Sequence, residues 1–277
     1  MSAHRQEKLN RLAKRLPEGL PVDAAWLRSE GYTPNLLRKY EAAGWLTQPA
    51  HRIYVRPRGP IVWQQAVIAL QTLLGRNLVV GGRTALDLHG FSHYLETSTQ
   101  AVYLFGPKPP PTWLKNLPAG VEFRARNDAR IFTSTLASTA PHQLDGLAGG
   151  RAKRSDGAMT MPWGPWNWPL TVSTPERAIL EFLDELPDRE SFHQADMLME
   201  GLSTLSPVRL QALLVDCHNI KVKRLFFFFA DRHTHAWLKR LNLGAIDLGR
   251  GKRSLVKGGR YDAKHMITVP EDLDAVG

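Results

Sequence analysis

The sequence predicts an α+β protein, with an N-terminal winged helix-turn-helix domain followed by a larger mixed α/β C-terminal domain. Three observations carry that prediction. The net charge is +10 over 277 residues, and residues 1–60 hold eleven Lys/Arg against five Asp/Glu, more than half of the excess. Those sixty residues set three short amphipathic segments between turn signals and close on a strand–turn–strand pattern. From residue 61 onward, short apolar runs of strand character alternate with stretches of helical spacing. The length suits two domains, placed at 1–60 and 61–277.

The first helix is read over Lys8–Leu16, where Leu9, Leu12 and Leu16 form one stripe before Pro17, Gly19 and Pro21 break the chain. A short helix follows near Asp23–Ser29, with Asp23 as its cap, Trp26 and Leu27 on its inner side, and Gly31 just past its end. Thr33 then caps a third helix that has Pro34 in its first turn and stops at Gly44. At about 100° per residue, Leu36, Leu37, Tyr40, Ala43 and Gly44 fall on one side, and Asn35, Arg38, Lys39 and Ala42 on the other. Trp45–Thr47 and Ile53–Arg56 read as strands around a polar tip, Gln48 to Arg52, which is the order of a wing.

An amide and two cations on an outward helical arc are the residue types that read base edges and phosphates in a major groove. The candidate DNA contacts are Thr33, Asn35, Arg38 and Lys39 on the third helix, Arg52 at the wing tip and Arg56 beside it. The competing reading of the same residues is a small helical domain with a solvated charged face.

In the larger domain, Trp63 to Leu74 recur at helical spacing, Asn77–Val80 reads as a short buried strand, and Gly81-Gly82-Arg83-Thr84 leads into a helix near Ala85–His89. A glycine pair before a helix can cradle an anion, although a capped strand–helix turn explains it better. Val102–Phe105 and Val121–Arg126 read as strands. Residues 149–170 read as a long irregular stretch, with a basic loop at 149–157 and Trp163, Trp166 and Trp168 pinning a loop to the core. Thr174-Pro175-Glu176 opens a helix, and two more are placed near Ser191–Leu205 and Pro207–His218. Val222–Ala230 reads as a buried strand or the start of a core helix, His233–Leu241 as helix and Met266–Val269 as a last strand.

Composition excludes several classes. With 43% hydrophobic and 22% charged residues the chain is not generally disordered. Its longest apolar run, Leu225–Ala230, is far short of the ~20 residues a membrane helix needs. Residues 1–30 lack a secretory pattern, and a cytoplasmic protein is expected. Cys217 is the one cysteine, so neither a disulfide nor a four-cysteine zinc site can form within the chain. His89 and His93 are split by Gly90, and His233 and His235 form no metal motif, so no metal and no cofactor is expected. Glu122-Phe123-Arg124 only approximates a nuclease strand, because Arg does not replace a deprotonable Lys, and no catalytic residue is assigned. Between 217 and 260 only Asp231 and Asp247 oppose a run of cations. Lys221, Lys223, Arg224, Lys252 and Arg253 are taken as a second, C-terminal basic surface.

The chain resembles the AbiEi family of antitoxins from type IV toxin–antitoxin (abortive infection) systems. The resemblance runs over nearly its whole length: Gly44-Trp45-Leu46 and Tyr54; Gly81 to Leu86 with Gly90 and His93-Tyr94-Leu95; Pro175-Glu176-Arg177-Ala178; Lys223-Arg224-Leu225-Phe226; Gly251-Lys252-Arg253; and Gly258-Gly259 before Tyr261. It implies a winged helix that represses its own operon at inverted repeats in double-stranded operator DNA. It also implies a C-terminal domain that counteracts a nucleotidyltransferase toxin without a stable complex. Two other readings remain open: a metal-dependent nuclease with a DNA-binding head, and an RNA- or tRNA-binding protein.

Overall fold

The computed structural model describes residues 3–91, 100–134 and 157–274. The head contains α1 (Ala3–Arg15), β1 (Val22–Asp23), α2 (Ala24–Ser29), α3 (Pro34–Ala42), β2 (Thr47–Ala50) and β3 (Ile53–Val55). Its strands form an antiparallel sheet in the order β1-β3-β2, with Val22 opposite Tyr54 and Ala50 opposite Ile53. This is the connectivity of a winged helix-turn-helix.

Local chemistry fixes these elements. The Asp23 carboxylate accepts the Trp26 N–H at 2.8 Å and starts α2. The Thr33 hydroxyl accepts the Leu36 N–H at 3.4 Å and starts α3, with Pro34 where no N–H is needed. Gly31 and Gly44 end the two helices with φ of 89° and 73°, a left-handed conformation that costs other residues about 1–2 kcal/mol. Leu12, Leu16, Leu27, Leu37, Tyr40, Leu46 and Ile53 are buried between the helices and the sheet.

The wing is tighter than the sequence suggests. β2 runs to Ala50, and the chain reverses through His51 and Arg52 alone. Pro49 reads as a strand breaker, but β2 is an edge strand, where a missing N–H breaks no ladder bond. The register shift between Thr47 and Ala50 accommodates it.

The remainder contains α4 (Trp63–Thr72), β4 (Val79–Val80), α5 (Gly82–Leu88), β5 (Ala101–Phe105), β6 (Glu122–Arg126), β7 (Ala158–Trp163), β8 (Trp168–Ser173), α6 (Pro175–Asp184), α7 (Phe192–Gly201), α8 (Pro207–Asp216), α9 (Ile220–His233), β9 (Arg260–Asp262) and β10 (Ile267–Val269). Five strands pair in the order β6-β5-β4-β8-β7, with β5/β6 and β4/β8 parallel and the other pairs antiparallel. β9 and β10 form a separate hairpin.

Alternate residues of each strand face opposite sides, so the sheet divides the apolar interior in two. Val79, Tyr103 and Phe105 face α5 and the helices α6–α9. Val80, Val102, Leu104, Leu170 and Val172 face the other way and join α4 and the head in one cluster. The head's core is therefore continuous with the sheet across residue 60. Gln71 ties α4 to β8 and to the residue just before β4, donating to the carbonyls of Leu78 (3.0 Å) and Thr171 (2.9 Å) and accepting the Thr171 N–H.

In the larger domain two segments differ from their sequence reading: 158–173, and His233–Leu241, where α9 ends at His233 and only a short 3-10 turn, Leu238–Arg240, follows. Residues 158–173 are a regular hairpin with Trp163 opposite Trp168. Gly164 and Asn167, both at positive φ, make its turn, and the indoles of Trp163, Trp166 and Trp168 stack at 5.2–6.2 Å. Prolines at 162 and 169 disguise the strand period, yet they face each other across the pair, and β7 is an edge. Val222–Ala230 takes the helical one of its two readings, inside α9, whose start Asn219 caps by accepting the Val222 N–H. Residues 149–156 of the expected basic loop, and His93-Tyr94-Leu95, lie outside the described residues.

Candidate nucleic-acid interface

α3 presents its polar arc outward. Asn35, Arg38 and Lys39 are exposed, while Leu37 and Tyr40 on the opposite side are buried and Leu36 is half-buried. Arg38 and Lys39 have no ion-pair partner among the described residues. Thr33 is exposed at the helix start, where its hydroxyl is already engaged as the cap. α3 thus leaves an amide and two cations facing solvent on the side opposite its packed residues.

Arg52 stands at the wing tip, exposed, with φ of 60°. Its carbonyl accepts the Ala24 N–H at 2.9 Å, which fixes the tip against the start of α2. A left-handed arginine where glycine or asparagine would sit without strain is a local cost of about 1–2 kcal/mol held at an exposed cation. Gln48 and His51, which sequence reasoning did not select, are exposed on the same wing.

Arg56 is a correction. Its guanidinium donates to the carbonyls of Ala13 (3.1 Å) and Leu16 (3.0 Å) and to Glu18 (3.0 Å). It closes the C-terminus of α1, where the carbonyls lack intrahelical donors and favour a cation, and is committed to the fold rather than to a phosphate. The signal was available: Pro17, two residues past the end of α1, supplies no N–H. The next cation, Arg58, lies 3.2 Å from the ring centroid of Trp166 and so ties the segment after the wing to the β7–β8 hairpin.

The C-terminal basic surface divides. Lys252 and Arg253 are exposed. Lys223 and Arg224 are buried, at 3% and 1% exposure, so they form no surface. The Lys221 ammonium donates to the carbonyls of Asp184 (2.6 Å) and Leu186 (2.8 Å), closing the end of α6. Arg224 donates to the carbonyls of Leu248 (2.8 Å), Gly251 (2.6 Å) and Met266 (3.2 Å). Cations in the first turn of a helix oppose its dipole. Here Lys221 and Arg224 serve carbonyls elsewhere, which a linear sequence does not reveal.

The glycine pair of the sequence motif does receive an anion, and it is the chain's own. The Gly82 N–H donates to the Glu181 carboxylate at 2.9 Å, and Ser173 (3.1 Å) and Arg177 (2.7 Å) donate to its other oxygen. A Cβ on Gly81 would stand 2.2 Å from that carboxylate. Arg177 also reaches Asp128 at 3.3 Å and lies over the Phe132 ring at 4.1 Å. Burial pushes the Glu181 carboxyl up from its ordinary value, against the pull of Arg177. Glu176 accepts the Ser206 N–H and the Arg209 guanidinium, both at 2.8 Å. These motif residues hold α5, α6 and α8 together.

The carboxylate weighed for nuclease chemistry, Glu122, is similarly engaged. Glu122 pairs with Arg124 at 2.8 Å, and Arg124 also donates to the Tyr103 hydroxyl at 3.0 Å. Among the described residues no three His, Cys, Asp or Glu side chains are grouped to hold a metal ion. His89 faces the Ser173 carbonyl at 2.9 Å and His233 faces Asp196 at 2.7 Å. No helix among the described residues is long and apolar enough to cross a membrane.

Comparison with known proteins places these features. Two family models match the chain. One is described as the N-terminal domain of the AbiEi antitoxin transcriptional regulator and matches residues 5–97; the other, described as the transcriptional regulator, AbiEi antitoxin, type IV TA system, matches residues 99–270. The models meet between 97 and 99, beyond the head, in keeping with the core that α4 shares with it. No curated protein matches. Among solved structures, the RV2827C protein from Mycobacterium tuberculosis has a similar fold at 14% identity and a TM-score of 0.54, over 96% of this chain and 91% of that one.

Proposed function

Since the chain belongs to the AbiEi family of antitoxin transcriptional regulators of type IV toxin–antitoxin systems, we propose that its winged helix binds inverted repeats in the promoter of its own operon and represses it. In this reading α3 enters the major groove, with Asn35 directed at base edges and Arg38 and Lys39 at bases or phosphates. Arg52 reaches the adjacent minor groove or backbone from the wing. The observation that carries the reading is the outward arc of α3, exposed and without counter-ions among the described residues, on a head whose opposite side is packed. The rest of the chain counteracts the toxin of the same operon, of nucleotidyltransferase type by family resemblance, without a stable complex.

The test uses the full chain, because cutting at residue 60 exposes the apolar face of α4 and the sheet. Footprinting on DNA upstream of the gene is expected to show protected repeats. Arg38→Ala with Lys39→Ala is expected to abolish that protection and derepress a promoter fusion, while the variant still restores growth beside the neighbouring toxin gene. A variant that footprints like the parent refutes the helix assignment. One that loses growth rescue while staying folded refutes the division of labour.

A further inference from the structure

The segment from 247 to 261 is built to hold cations outward. Arg250, Lys252, Arg253 and Lys257 are exposed and have no ion-pair partner among the described residues, and Arg260 is exposed beside them. The one acidic residue in the segment, Asp247, caps its own turn by accepting the Gly249 N–H at 2.8 Å. Positive φ at Gly249, Gly251 and Gly258 turns the chain repeatedly, and a Cβ on Gly259 would meet the Val269 carbonyl at 2.4 Å. Backbone geometry thus ties the glycines to the fold and leaves the cations between them in solvent.

The segment is anchored from within. Arg253 is hydrogen-bonded along β10, with its N–H on the Met266 carbonyl (2.9 Å) and its carbonyl accepting the Thr268 N–H (3.1 Å). His265 spans two carboxylates, Asp262 at 2.8 Å and Asp231 at 2.7 Å, pinning the β9–β10 hairpin to the end of α9. Beneath it, Arg224 holds three carbonyls, and its second terminal nitrogen, Nη2, has no hydrogen-bond partner. Among the described residues no carboxylate pairs with this buried guanidinium, and burial together with Arg253 pulls its pKa below the usual value. The charge beneath the surface adds to the charge on it. An aromatic ring completes the patch: Tyr261 is 39% exposed, with the Lys252 ammonium 4.7 Å from its centroid.

We propose that this glycine-rich basic lobe is a binding surface for single-stranded polynucleotide, separate from the operator-binding head and independent of that assignment. Unneutralised cations select a polyanion, because each phosphate contact releases counterions. The exposed ring selects unpaired bases, whose faces a duplex keeps stacked within itself. Neither a helix nor a long wing rises from this lobe to read a groove. RNA and single-stranded DNA share this chemistry and differ in the 2′-hydroxyl.

The test keeps the full chain and silences the head with Arg38→Ala and Lys39→Ala. Fluorescence anisotropy then follows binding of labelled oligo(U), oligo(dT) and a duplex of the same length, about twelve nucleotides, which suits one stacking platform. Both single strands are expected to bind about tenfold more tightly than the duplex, with a steep salt dependence. Lys252→Ala with Arg253→Ala, both exposed and therefore compatible with folding, is expected to weaken single-strand binding about tenfold or more. Tyr261→Leu is expected to weaken it about fivefold or more and to leave the duplex unaffected. Either ranking of the two single strands supports the surface and names the sugar it prefers. The proposal is overturned if the charge variant binds like its parent, if the duplex competes equally and Tyr261→Leu changes nothing, or if none of the three probes binds.

Discussion

Replacing Arg52 by glycine separates what the wing tip costs from what it does. Arg52 holds φ of 60° and is exposed. For a residue with a Cβ that conformation costs about 1–2 kcal/mol, and glycine escapes the cost but loses about 0.5–1 kcal/mol more backbone entropy on folding. The net expectation is a gain of about 0.5–1 kcal/mol, or roughly 1–4 °C in Tm for a chain of this size. Operator binding moves the other way. Losing one phosphate or groove cation is expected to weaken it by about 1 kcal/mol and to reduce the slope of log affinity against log salt by about one. Urea denaturation and anisotropy on the promoter fragment over a range of KCl read the two effects on one preparation. A more stable protein with weaker, less salt-sensitive binding is the expected pair. If stability falls, the left-handed arginine is not strained. If affinity and slope are unchanged, Arg52 does not touch DNA.

Gly81→Ala drives a methyl group to 2.2 Å from the buried Glu181 carboxylate, and an overpacking loss of about 1–3 kcal/mol is expected in chemical denaturation, with operator affinity unchanged in the folded fraction. Trp166→Ala removes the ring on which Arg58 lies at 3.2 Å; a loss of about 0.5–2 kcal/mol is expected, and Arg58→Ala on that background should add little. Glu185 gives a pH test. Burial disfavours its charge, yet Arg126 and Arg189 hold its carboxyl below the ordinary 4.5. A depressed carboxyl contributes stability that is present above pH 4.5 and lost as pH falls through the lower folded value. Thermal unfolding from pH 6 down to about 3 should therefore steepen below 4.5, and Glu185→Gln should flatten that limb. An unchanged acid limb in the variant contradicts the assignment.

Where one interaction dictates the local structure, the sequence was a good guide. Asp23 and Thr33 cap the helices they were expected to cap, and the division between Leu37/Tyr40 and Asn35/Arg38/Lys39 survives in three dimensions. Reading failed where a residue's meaning depends on a distant partner. Pro49, Pro162 and Pro169 suggest loops until the strand neighbours are known. Lys221, Arg224 and Arg56 count as surface charge until the carbonyls they close are seen. The run Phe226–Phe229 fits a buried strand or helix equally, and only the Asn219 cap and the length of α9 decide it. At Gly81-Gly82 the capped strand–helix turn is the stronger reading and an anion cradle the weaker one; the anion it does hold, Glu181, lies 99 residues from Gly82 in sequence.

The account rests on α3 meeting a duplex through its solvent-facing cations. Anisotropy of a labelled fragment from the chain's own promoter, titrated with the parent and with Arg38→Ala/Lys39→Ala at several salt concentrations, tests that contact directly. The account predicts a loss of about 2 kcal/mol or more in specific binding and a salt slope smaller by about two, with unfolding of the variant unaltered. Equal affinity and an equal slope in the two proteins would place the DNA elsewhere on the molecule.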